Sequence, residues 1–182
     1  MSTSRVLKSF AICMTGISGS GKTTLANAVT ERLRERSISI DVIDGDETRQ
    51  LIGEIFGHSK EERQKMSRIN QTIGRYLLRN NVSFILAVVA PFEKIRMQFR
   101  NFFGDAYIEI YVRASAEICA KRDVKGLYKL NQEGKIVHLN GSDATFEVPE
   151  NSDLIIDTDN TSIAKCCADI IEYLHNEGYI EW

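Results

Sequence analysis

Net charge is nearly absent from this sequence. Lys and Arg number 23 and Asp and Glu 25 among 182 residues, a formal balance of −2. Such a chain carries no electrostatic footprint for DNA, RNA or an acidic membrane surface. No apolar run approaches the length of a bilayer span, and the start, MSTSRVLKSF, lacks the apolar centre of a secretory signal. A cytoplasmic protein with no nucleic-acid or membrane partner is expected. The four cysteines (Cys13, Cys119, Cys166 and Cys167) have no metal-ligand spacing. They read as reduced structural thiols. Internal repeats and low-complexity linkers are missing too, so the length suits one domain over residues 1–182.

What is present is narrower in its chemistry. Gly16-Ile17-Ser18-Gly19-Ser20-Gly21-Lys22-Thr23 matches G-x-x-x-x-G-K-[ST] in full. In that pattern backbone N–H groups encircle nucleotide phosphates, the lysine reaches the β- and γ-phosphates, and the Thr23 hydroxyl ligates Mg²⁺. The flanks agree. Phe10 to Thr15 is an apolar run with a buried strand's profile, and Thr24 to Arg36 places Leu25, Ala28, Val29 and Leu33 at helical spacing. A helix N-terminus there adds N–H donors and the positive end of a dipole.

Further strands are expected at Ser39 to Ile43, Val82 to Ala90, Tyr107 to Val112 and Leu154 to Ile156. Helices are expected at Asp46 to Phe56 (or a helix plus loop), Lys60 to Arg79, Phe92 to Phe102, Ala114 to Arg122 and Ser162 to His175. On Lys60 to Arg79, residues Met66, Ile69, Ile73, Leu77 and Leu78 fall on one face. Strands alternating with helices imply an α/β fold of the P-loop NTPase type, a parallel sheet with helices on both faces. Sites in such sheets collect at the carboxyl ends of the strands. That places Asp44-Gly45-Asp46 and Ala90-Pro91-Phe92 among the candidates. The stretch from Lys121 to Asn151 is polar, weakly periodic and rich in cations, and reads as a mobile lid over the phosphates, about residues 121–151.

Two nucleotide-dependent classes compete, phosphotransferase and switch. A guanine-reading N/T-K-x-D element is lacking, and the long apolar strand ends in Ala90-Pro91 without a carboxylate. Small-molecule kinases fit the size, the lid and the acid after the second strand. In that class Asp46 would accept or orient the proton of the attacking hydroxyl, while Asp44 caps the helix that follows.

Together, Gly16 to Ala26, Asp44-Gly45-Asp46-x-x-Arg49 and Arg122-Asp123-Val124-Lys125-Gly126-Leu127-Tyr128-Lys129 resemble the adenylylsulfate (APS) kinases. Pro149-Glu150-Asn151 matches the end of that family's lid, and the resemblance covers nearly the whole chain. It implies ATP-dependent phosphorylation of the ribose 3′-hydroxyl of adenylylsulfate, with Mg²⁺, in a homodimer. The implied catalytic residues are Asp46, Lys22 and Lys125. The ATP site would comprise Gly16, Ser18, Gly19, Ser20, Gly21, Lys22, Thr23, Thr24 and Arg122, with Thr23 as the metal ligand. The acceptor site would comprise Asp46, Arg49, His58, Arg63, Val89, Ala90, Lys125 and Leu139.

Several acceptor positions depart from the family. Its G-F-S reads Gly57-His58-Ser59, and its Phe before T-G-I-D reads Leu139. Those phenylalanines clamp the acceptor's adenine in the family, and losing an aromatic pair forfeits about 1 kcal/mol of stacking. The family's N-[IV]-R-R reads Met66-Ser67-Arg68-Ile69, and its I-S-P-[FY]-R reads Val89-Ala90-Pro91-Phe92-Glu93. Three readings stay open: a divergent adenylylsulfate kinase, the same chemistry on cytidine diphosphoramidate, as in capsule-associated relatives, and a non-catalytic nucleotide binder.

Overall fold

Short apolar runs favour parallel strands buried on both faces, and helices must then cover them. The computed structural model describes residues 5–52, 60–137, 139, 142 and 144–182, without the side chains of 60, 61 and 63. Five parallel strands form the main sheet: β2 (Ala11–Thr15), β3 (Ile40–Asp44), β4 (Ser83–Ala87), β5 (Tyr107–Arg113) and β6 (Leu154–Asp157). Their order is β3-β4-β2-β5-β6, which puts β2 and the loop after it at the centre. A second, two-stranded antiparallel sheet pairs β1 (Arg5–Val6) with β7 (Ile180–Glu181). No sequence pattern marks strands that short.

Helices α1 (Lys22–Arg34) and α7 (Ile163–Asn176) cover one face. Leu25, Val29 and Leu33 meet Ile170 and Leu174 over Ile12, Met14 and Ile110. Ser162 caps α7 by accepting the Lys165 N–H. On the opposite face α3 (Lys60–Arg79) and α4 (Glu93–Phe103) bring Leu77, Leu78 and Phe99 against Phe84 and Leu86. The remaining helices, α2 (Gly45–Ile52), α5 (Ala116–Arg122) and α6 (Leu127–Gln132), lie at the carboxyl end of the sheet. The expected continuation of α2 to Phe56 falls outside the described residues.

Two expectations change. The run Val82 to Ala90 gives a strand only over Ser83–Ala87. Ala90 turns to φ 41°, and the Val89 and Ala90 carbonyls accept the Thr15 hydroxyl at 2.6 and 3.3 Å. Those apolar residues therefore brace the end of β2 instead of extending a ladder. On α3 the buried stripe is Met66, Asn70 and Gly74, whereas Ile73 is exposed. The reason is the Phe84 ring, which fills the space a side chain at 74 would need: a Cβ there would lie 2.5 Å from Cζ.

That contact gives a stability test. Alanine is intrinsically better than glycine in a helix by about 1 kcal/mol, yet Gly74→Ala forces the fully buried Phe84 ring to move. Overpacking of that kind costs about 1–3 kcal/mol. Gly74→Ala should lower the denaturation midpoint, and adding Phe84→Leu should recover part of the loss. A higher midpoint in the single variant would contradict the packing.

Candidate active site

The loop between β2 and α1 is shaped by what surrounds it. Gly19 holds φ +82°, and a Cβ there would lie 3.0 Å from the Cys119 carbonyl. A Cβ on Gly16 would lie 2.5 Å from the Val112 carbonyl. The loop can thus sit tight against β5 and α5 only with glycine at these places. Lys22 curls into it, donating to the Gly16 and Ile17 carbonyls, each at 2.8 Å. Burial pulls the Lys22 pKa down to about 8, against the attraction of Asp46 and with the repulsion of Lys125.

Ser18, Gly19, Gly21, Lys22, Thr23 and Thr24 line one large cleft of about 1400 Å³. Gly16 and Ser20 lie beneath it. Ser20 is fully buried, and its carbonyl accepts the Thr158 hydroxyl at 2.9 Å. Arg122 donates to the Thr158 carbonyl and reaches the Gly19 carbonyl at 3.5 Å, so it ties the loop to the segment after β6.

Asp44, at the end of β3, has two tasks. One oxygen accepts the Thr23 hydroxyl at 2.5 Å, and the other accepts the N–H groups of Asp46 and Glu47 at 2.8 and 3.2 Å. Burial would raise its pKa, but the Thr23 hydroxyl and those two N–H groups outweigh it and hold the carboxyl below its usual range. Capping is what the sequence suggests; the bond to Thr23 goes further. Asp46 itself is exposed, and its carboxylate pairs with the Lys125 ammonium.

Lys125 reaches Asp46 because of Asp123. That residue ends α5 at φ 24°, and its two oxygens accept the N–H groups of Tyr128 and Lys129, both at 3.0 Å, starting α6. The Tyr128 hydroxyl donates to the Ser18 carbonyl at 2.9 Å. Leu139 is buried with Ala114, Cys119 and Tyr128, facing the same cleft. Further along, before β6, the Glu147 N–H donates to the Pro91 carbonyl at 2.8 Å and its carboxylate accepts the Glu93 N–H at 2.7 Å.

Most of the expected acceptor residues share this cleft: Asp46, Arg49, Val89, Ala90, Lys125 and Leu139 all line it. The Val89 and Ala90 carbonyls, however, are engaged by Thr15, and Ala90 also by Arg96. His58 and the Arg63 side chain lie outside the described residues. Reading by motif passes over Tyr128, Asp123 and Thr158 as loop supports. The R-D-x-K-G-L-Y-K string contains the first two, but only the fold shows what they hold. Among the described residues no group of three or more His, Cys, Asp or Glu side chains forms a metal cluster.

Comparison with known proteins bears on what such a cleft is for. A family model described as adenylylsulphate kinase matches residues 8–157. The adenylyl-sulfate kinase of Halothermothrix orenii is 36% identical over 173 residues, covering 95% of this chain and 93% of that protein. A probable adenylyl-sulfate kinase of Halalkalibacterium halodurans is 39% identical over 170 residues, 93% of this chain and 84% of its own. Among solved structures, the APS kinase CysC of Mycobacterium tuberculosis in complex with AMPPNP and APS superposes with TM-score 0.87 at 29% identity. It covers 92% of this chain and 98% of that one.

The buried lysine yields a pH test. Below about 8 Lys22 is charged before any nucleotide arrives. Above it the free site is increasingly neutral, and a bound triphosphate must draw a proton back onto the amine. ATP affinity should fall as pH rises through 8 toward the ordinary lysine range. Calorimetry at pH 9 in two buffers of different ionisation enthalpy should show up to about one proton taken up per ATP. Identical heats after buffer correction would mean that Lys22 stays charged.

Proposed function

The chain belongs to the adenylylsulphate kinase family, and on that premise we propose that it transfers the γ-phosphoryl group of ATP to the ribose 3′-hydroxyl of adenylylsulfate. One observation carries the residue assignment: Lys22 and Asp46 line a single cleft, and the lid delivers Lys125 directly to Asp46. Phosphoryl transfer asks little covalent chemistry of a protein and much positioning and charge.

On this reading Lys22 exchanges the Gly16 and Ile17 carbonyls for the β- and γ-phosphate oxygens. The exchange is favourable because an anion satisfies a buried ammonium better than two neutral carbonyls do. Asp46 accepts the proton of the 3′-hydroxyl as its oxygen attacks the γ-phosphorus; the bond from that phosphorus to the β,γ-bridging oxygen breaks, and ADP leaves. Lys125 releases Asp46 and turns to the anionic acceptor, and Arg49 stands on the same side. Arg122 and Thr158 hold the ATP end of the loop.

The residues at Thr23 fit a Mg²⁺ ion. The Thr23 hydroxyl spends its proton on Asp44, which leaves its oxygen lone pairs available. Asp44 supplies a buried negative charge behind it. Mg²⁺ keeps most of its shell as water and phosphate oxygens, so one or two protein groups suffice. When bound it would neutralise charge on the triphosphate. A single domain, a homodimer and a cytoplasmic setting belong to the same proposal. Four buried free cysteines agree with a reducing compartment.

The similar proteins named above act on adenylyl sulfate, which favours that acceptor over cytidine diphosphoramidate. Purified protein should consume ATP with adenylylsulfate and not with cytidine diphosphoramidate or simple nucleotides. Lys22→Ala and Asp46→Asn should each lower kcat by on the order of 10²-fold. Near-normal turnover in Asp46→Asn would remove the proton-acceptor role, and ATP binding without consumption on any acceptor would leave a non-catalytic binder.

A further inference from the structure

Two residues on α3 line the cleft, and each carries a buried polar atom with nothing to bond. Ser67 Oγ and Asn70 Oδ1 are buried and lack a hydrogen-bond partner among the described residues, and both residues line the cleft. Asn70 is only 4% exposed. They are three apart, so they share a helix face. Gly74 on the same stripe rests on Phe84, near the start of β4. Since α3 ends near the start of that strand, its earlier residues Asn70 and then Ser67 come to the level of the cleft.

Asparagine is a poor helix former, and an unpaired buried amide oxygen costs stability. An apolar residue would serve packing better at 70. Such a group is explained when its partner is a ligand.

Position and chemistry narrow that ligand. The strand order sets Thr158, after β6, on one side of the phosphate loop, and Asp46, after β3, on the other. Asn70 lies over β4, on the Asp46 side, so it belongs to the acceptor half. Its oxygen accepts only. Phosphate and sulfate oxygens are acceptors too, so the anionic part of the acceptor cannot satisfy it. A base with an exocyclic amino group can, and an amide is suited to adenine because it accepts from N6 while donating to N7. We propose that Asn70, with Ser67 beside it, reads the exocyclic amino group of the acceptor's base and rejects bases with a carbonyl there. This rests on the adenylylsulfate reading and names the residues that make the base matter.

The test is steady-state kinetics of the full chain with adenylylsulfate and its inosine counterpart, which replaces the amino group with a carbonyl. Wild type should prefer the amino substrate by on the order of 10² in kcat/KM. Asn70→Leu should raise KM for adenylylsulfate about tenfold and lower it about tenfold for the inosine counterpart, with little change in kcat, bring the preference near unity, and leave the melting temperature equal or higher. Asn70→Ala reads the same ratio should the leucine variant fail to fold. An unchanged preference in the variant overturns the proposal, as does a KM rise equal for both substrates. A lower melting temperature with unaltered KM would make Asn70 structural and overturn it too. Wild type active on adenylylsulfate without base preference removes this inference alone; wild type inactive on both removes the proposed function with it.

Discussion

One buried carboxylate couples the two halves of this molecule. Asp44 accepts a hydroxyl from the first turn of α1 and two N–H groups from the first turn of α2. Hydrogen bonds to a charged group are each worth about 1.5–3 kcal/mol, and capping alone about 0.5–2. Shared on one anion, they fix the angle between the helix that carries Thr23 and the helix that carries Asp46. The cleft then has a defined width, because the helix starts that carry Thr23 and Asp46 hang from the same oxygen pair.

Asp123 repeats the device between α5 and α6. Its carboxylate starts α6, and the turn it makes at positive φ presents Lys125 and Tyr128 in different directions. The lysine goes to Asp46 and the tyrosine to the phosphate loop. Beneath the sheet a third anion acts without facing the cleft. Glu109, in the middle of β5, pairs with buried Arg96 at 3.3 Å, and Arg96 in turn donates to the Ala90 carbonyl at 3.1 Å. Burying such a pair gives little net stability, since desolvation offsets attraction. What it supplies is a rigid link from β5 through α4 to the loop at Ala90, which lines the cleft.

Most of the frame was legible in the sequence because periodicity and the phosphate loop are local signals. The alternation of strands and helices and the loop from Gly16 to Thr23 both follow from neighbouring residues. What escaped depends on partners far along the chain. Ile69 and Ile73 look like core residues on α3, yet the Phe84 ring selects the stripe through Gly74 and Asn70 instead. Met66 stands where the family pattern has asparagine, while the amide at Asn70, one turn on, carries no pattern of its own. Asp44 read as a cap, since nothing local announces its bond to Thr23. The strands β1 and β7 are too short for any period to show.

Under the proposed roles, the contact between Lys125 and Asp46 sets how the acceptor enters. The carboxylate of Asp46 is occupied by an ammonium, so in the proposed mechanism a 3′-hydroxyl cannot approach it until that pair opens. Both side chains are largely exposed, 49% for Lys125 and 67% for Asp46, and exposed pairs are worth about 0–1 kcal/mol. Opening is therefore cheap for any ligand that offers Lys125 another anion. Adenylylsulfate brings that anion and the hydroxyl on one molecule, so the group that draws the lysine away also positions the group that needs the base. A neutral nucleoside brings only the hydroxyl and leaves the lysine where it is. Under the proposed roles, the weakness of this one ion pair would let acceptor charge, and not ATP alone, license the transfer.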